Sequence, residues 1–85
     1  DRSRGLGDVY KRQKYNMTIF YSCDKNRKLE VSVNGTETVL KDLNSNKEVK
    51  SITIPVTLQK GYNTVRMGND FGWAPDIDRF TLSRQ

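Results

Sequence analysis

The chain has no histidine and a single cysteine, Cys23. Without an imidazole, Ser-His and Cys-His nucleophilic catalysis, imidazole proton shuttling and histidine metal ligation are excluded from this stretch. One thiol excludes an internal disulfide and any multi-cysteine metal site, and Cys23 reads as a small buried or semi-buried filler. Hydrophobic residues make up only 34% of 85 residues, so any core is thin. No window approaches the ~18 apolar residues of a membrane span. No stretch has a helical period long enough to define a helix, and there is no internal repeat or low-complexity segment. This length allows one small domain.

What the chain does contain is a period of two. Lys14–Cys23 (KYNMTIFYSC) places Tyr15, Met17, Ile19 and Tyr21 on one face, with Phe20 the apolar exception on the other. That alternation predicts a half-buried strand. Leu29, Val31 and Val33 repeat it, and Asn34-Gly35 then supplies two residues that tolerate the positive φ of a type I′ hairpin turn. Thr36–Leu40 is the expected return strand. Lys41–Lys50 is polar throughout and reads as a solvated surface loop, long enough to cross between sheets.

Ser51–Leu58 alternates again, with Ile52, Ile54, Val56 and Leu58 on one side. Pro55 cannot donate to a ladder, which predicts an edge strand or a bulge. Tyr62–Met67 continues as a strand after Lys60-Gly61. Strand parity makes Tyr15, Tyr21 and Tyr62 core or rim aromatics. Gly68–Pro75 is a Gly- and Asn-containing loop that carries the only tryptophan, Trp73. A final strand starts near Asp76. If its Phe80 and Leu82 face the core, Asp78 faces it too and needs a partner such as arginine, a backbone donor or a hard cation. Arg66 and Arg79 are expected to pair with local carboxylates. Five or six short strands with polar turns define an all-β sandwich.

The net charge of +5, from 15 basic and 10 acidic residues, would ordinarily suggest an anionic partner. Ser3–Gln13, however, reads SRGLGDVYKRQ, which resembles the translation of a transposase-based sequencing-library adapter. Residues 1–13 are accordingly set apart as a non-native, adapter-derived segment. Without their four basic and two acidic side chains, the charge falls to +3. No basic stripe interleaves with aromatics, so no nucleic-acid partner is expected.

Across residues 14–85 the motifs Tyr15-x-Met17-x-Ile19-x-Tyr21, LEVSVNG (29–35), ITIPVTLQKGYNTVRMGN (52–69) and GWAPDIDRFTL (72–82) resemble the C-terminal portion of a carbohydrate-binding module of the family 6 and family 35 type. The run from Gly68 to Leu82 is most similar to modules appended to bacterial α-galactosidases and related glycoside hydrolases. The resemblance implies a jelly-roll β-sandwich, galactose-binding-domain-like and N-terminally truncated here, with sugar bound in loops at one end. It implies that Trp73 stacks on a sugar and that Asn69 bonds its hydroxyls, with Asp70 and Asp76 as further acceptors. It assigns Asp78 to a structural calcium whose remaining acidic ligands would lie upstream of this segment. A secreted, periplasmic or cell-surface location in a bacterium and a glycosidase catalytic domain in cis follow from the same resemblance.

Three functions are weighed on these residues. The first is a non-catalytic module that holds an attached glycosidase near galactose-containing polysaccharide. The second is a purely structural accessory domain, in which Trp73 packs as a lid over Pro75 or the sheet end, or is buried against a neighbouring domain. The third is catalysis by Asp70, Asp76 and Asp78. It is disfavoured because a glycosidase needs two carboxylates at a set separation across a cleft, which loop spacing does not establish.

Overall fold

The computed structural model describes residues 13–70 and 72–85; the adapter-like residues 1–12 and Phe71 lie outside the described residues. Six strands follow one another: β1 (Gln13–Ser22), β2 (Arg27–Val33), β3 (Thr36–Leu43), β4 (Lys50–Leu58), β5 (Val65–Gly68) and β6 (Asp76–Arg84). They form two antiparallel three-stranded sheets, ordered β4-β1-β6 and β3-β2-β5. Gln13, the last residue of the adapter-like segment, is already in β1, opposite Leu58.

The predicted alternation fixes which side chains are inside. Met17, Ile19 and Tyr21 of β1, Leu29, Val31 and Val33 of β2, and Ile54 and Val56 of β4 are buried in one cluster with Leu43. Tyr15, Ile52, Leu58, Val65 and Met67 pack against its margin. Pro55 lies exposed on β4, which is an edge strand as its missing N–H requires. Asn34 (φ 52°) and Gly35 (φ 86°) make the predicted β2–β3 turn.

β3 runs to Leu43, three residues beyond the expected end. Its register against β2 slips by one residue at Asp42, which adopts φ 59°. That bulge brings Leu43, rather than Asp42, into the core. The segment 41–50 is thus less solvated than its composition suggests. Ser45 is fully buried. Its hydroxyl accepts from the Cys23 N–H (2.9 Å) and donates to the Cys23 carbonyl (3.1 Å), and the Cys23 thiol reaches the Leu43 carbonyl at 3.2 Å. The segment does cross between the sheets, as its length allowed.

A second brace joins the hairpin turn to the β4–β5 connection. Asn63 accepts from the N–H of Gln59 and the amide of Asn34 through Oδ1, both at 2.9 Å. Its own amide donates to the carbonyls of Gln59 and Gly61. Asn34 in turn accepts the Thr64 N–H and donates its backbone N–H to the Thr64 carbonyl. A turn residue and a residue expected in a strand thereby tie the hairpin to the β4–β5 connection.

β6 pairs with β1, and the Asp78 expectation is corrected there. Arg79 is opposite Phe20, but Ile77, not Asp78, is opposite Tyr21. The extra residue reverses the parity of the strand's start, so Ile77 joins Phe80 and Leu82 on the inward side. Asp78 is half-exposed and ion-paired with Arg79 at 3.0 Å, while the Arg79 guanidinium lies 4.1 Å from the centre of the Phe20 ring. This accounts for Phe20, the apolar residue on the outer face. All nine residues of β6 are exposed, including Phe80 (41%) and Leu82 (42%), so its inner face is not covered by the other sheet.

An uncovered apolar edge strand promotes association. The chain is expected to self-associate, and Phe80→Lys with Leu82→Lys to shift it toward monomer in sedimentation velocity; a monomeric, cooperatively unfolding wild type is the contrary result. Asn63→Ala should lower stability by about 1–3 kcal/mol, given roughly 1 kcal/mol per hydrogen bond, read from the chemical denaturation midpoint.

Candidate functional site

The registers place the connections 23–26, 44–49 and 69–75 at one end of the molecule and 34–35 and 59–64 at the other. The 69–75 loop follows the short β5 and must cross from one sheet to the other to enter β6. At its exit Pro75 is buried and Ala74 packs against the core cluster. Trp73, immediately before them, is 77% exposed. The indole therefore does not form a lid over Pro75; the buried residues beside it anchor the backbone from which it projects.

Asn69 is partly buried, and its side-chain amide donates to the Trp73 carbonyl at 3.3 Å. Of the residues expected to meet sugar, this pair is the one the structure brings into direct contact, and Asn69 braces the loop from within. Gly72 sits close by: a Cβ there would come within 3.5 Å of the same amide, ordinary packing distance.

Asp70 is held from β2. Its backbone N–H donates to Glu30 Oε1 at 3.1 Å, and Lys28 Nζ lies 3.2 Å from the other carboxylate oxygen, Glu30 Oε2. These two contacts, the Asp70 bond first, hold the Glu30 carboxyl below its ordinary value of 4.5, against the opposing effect of its partial burial. Glu30 is the residue that sequence reading missed. The alternation of β2 puts it on the outer face, but nothing in that pattern shows which distant loop reaches that face. A small hollow of about 40 Å³ beside it is lined by Glu30, Ser32, Glu37, Arg66 and Asp70 among others, and the charge of Arg66 adds a smaller favourable effect on the Glu30 carboxylate.

Asp76 is exposed at the start of β6, opposite Ser22. Asp78 is committed to Arg79. Among the described residues no group of three or more Asp, Glu or Cys side chains is placed so that it could hold a metal ion. Asp70, Asp76 and Asp78 likewise do not combine into one cluster.

Tyr62 departs from its expected place. β5 begins only at Val65, so Tyr62 belongs to the connecting loop and is 95% exposed. It is neither core nor rim.

Comparison of the chain with protein-family models, with curated proteins and with solved structures returned no match.

A carboxylate with a depressed pKa contributes stability above its ordinary range, and that contribution is lost as pH falls through the depressed value. The Asp70 amide proton, followed by NMR, should therefore shift in a transition with a midpoint below pH 4.5, loosening the Trp73 loop as Glu30 gains its proton. Glu30→Gln should abolish that transition.

Proposed function

We propose that this chain is the C-terminal part of a non-catalytic carbohydrate-binding module, a jelly-roll sandwich of the galactose-binding-domain type, with Trp73 as its sugar-stacking platform. The observation that carries the reading is the exposure of a lone tryptophan on a loop braced at three points: by Asn69 within it, by Glu30 from β2 and by buried Pro75 at its exit. An indole presents an apolar face to the C–H face of a pyranose, and galactosides offer such a face. Pre-ordering the loop removes the entropy cost of fixing it at binding.

In this reading Asp70 and Asp76, both exposed on the same loop and strand start, accept from sugar hydroxyls, and Asn69 acts chiefly by setting the loop's shape. The module holds an attached glycoside hydrolase, of the α-galactosidase type, near galactose-containing polysaccharide outside a bacterial cell. Weak single-site binding suffices, because tethering raises the effective concentration of enzyme at the polymer.

A second reading, a structural accessory domain packing on the catalytic domain without binding sugar, draws support from the uncovered inner face of β6. Calorimetric titration and affinity electrophoresis with galactosides and galactomannan separate the two. Retardation by galactomannan that Trp73→Ala removes is expected. No heat and no retardation with any galactoside, in wild type and variant alike, would sink the carbohydrate reading in favour of the structural one.

A further inference from the structure

We propose that Asn34 is a site of spontaneous covalent modification, closing on Gly35 to a cyclic imide whenever its brace to Asn63 and Thr64 opens. The chemistry belongs to the pair itself. The Gly35 backbone nitrogen, losing its proton to hydroxide, attacks Asn34 Cγ. The N–Cγ bond forms, the Cγ–Nδ2 bond breaks, and the amide nitrogen leaves as ammonia. Water then opens the imide at either carbonyl, leaving aspartate or a main chain rerouted through the side chain as isoaspartate. Glycine has no Cβ to shield the attacking nitrogen, and a Cβ built on Gly35 would meet nothing within 4 Å. Both residues are exposed, so hydroxide and water reach them.

Folding governs the step because it occupies the group that reacts. Asn34 Nδ2 donates to Asn63 Oδ1, and Asn34 Oδ1 accepts the Thr64 N–H, each at 2.9 Å. Nδ2 is the leaving group, so its bond to Asn63 cannot survive the reaction. Ring closure also turns the carboxamide away from Thr64 toward Gly35. The backbone resists this too, since the Asn34 N–H donates to the Thr64 carbonyl at 2.9 Å.

The modification is one-way in its effect, because Asn63 cannot adapt to the product. Its Oδ1 also accepts the Gln59 N–H, and its Nδ2 donates to the Gln59 and Gly61 carbonyls. Rotating that amide to meet a new carboxylate would set Nδ2 against the Gln59 N–H and Oδ1 against two carbonyls. An aspartate at position 34 therefore opposes acceptor to acceptor, which lowers stability. Isoaspartate lengthens the main chain between Val33 and Thr36, a directly opposed pair, so the tight two-residue turn is lost. Thr64 stands immediately before β5, which has only four residues, and the damage passes to that edge strand. Each opening of this end that ends in ring closure is thus recorded as a permanent weakening.

The test follows the full chain in mildly alkaline buffer, native and in denaturant, by peptide mapping that separates asparagine, aspartate and isoaspartate at position 34. Asn34 is expected to convert ahead of every other asparagine. In denaturant it should convert at least about tenfold faster than in the native chain, the factor for breaking one hydrogen bond. Asn63→Ala removes the brace, whereas Ile19→Val lowers stability from the buried core without touching it. With the two variants matched in stability by denaturant, Asn63→Ala should convert faster. In hydrogen exchange, Asn34→Asp should open the amides of residues 59–64 about tenfold, again the loss of one hydrogen bond. Equal native and denatured rates, conversion spread evenly over the asparagines, equal rates in the matched variants, or unchanged exchange in Asn34→Asp would each overturn the proposal.

Discussion

The fold depends on the packing of the inner face of β1, Met17, Ile19 and Tyr21, with that of β2, Leu29, Val31 and Val33, in one buried cluster. Each is the central strand of its sheet, so every other strand is positioned by pairing with one of these two. Full burial of one such side chain is worth about 1.5–3 kcal/mol, and the chain has few of them. A core this small leaves little margin for side chains that face the wrong way. That explains why small local devices, two bulges and two asparagine braces, carry so much of the geometry.

The bulges show how. A bulge inserts one residue and so resets period-two alternation, and each one here turns an apolar side chain to the inward side. At Asp42 it brings Leu43 into the core, and at Asp78 it brings Ile77 into line with Phe80 and Leu82. In both places the residue at the insertion is an aspartate that would otherwise have faced inward. At Asp42 the alternative is a carboxylate buried without a partner, which is costly; the inner face of β6 is exposed, so no such burial arises at Asp78. Asp78 instead meets Arg79, whose guanidinium also covers Phe20.

Alternation was legible wherever a strand stayed regular: the inward faces of β1, β2 and β4, the Asn34-Gly35 turn and the edge position of Pro55 all follow from local pattern. What local pattern could not show were contacts between residues far apart in the chain. Ser45 looks like any polar loop residue until its hydroxyl is seen to close on Cys23, 22 positions earlier. Asn63 lies in a run whose pattern reads as strand, yet its partners include Asn34, 29 positions away. Parity also misplaced Asp78 and Tyr62, the first because a bulge resets it and the second because a loop, having no parity, had been read as strand. In the candidate site, the exposed tryptophan and its asparagine were visible in the loop's composition, whereas the Glu30 support from β2 was not.

The two ends of the sandwich solve one physical problem in different ways. An exposed aromatic contributes to binding only if its backbone is held, since ordering a loop at the moment of contact consumes much of what stacking provides. At one end the anchors are hydrophobic and ionic: buried Pro75, packed Ala74 and the Glu30 carboxylate on the Asp70 N–H. At the other they are neutral amide bonds centred on Asn63. The first arrangement weakens in acid, because its carboxylate anchor can be protonated. The second contains no titrating group, so its loop keeps its shape wherever the fold itself survives. Among the described residues the most exposed aromatic, Tyr62, thus stands on the loop whose support is indifferent to pH.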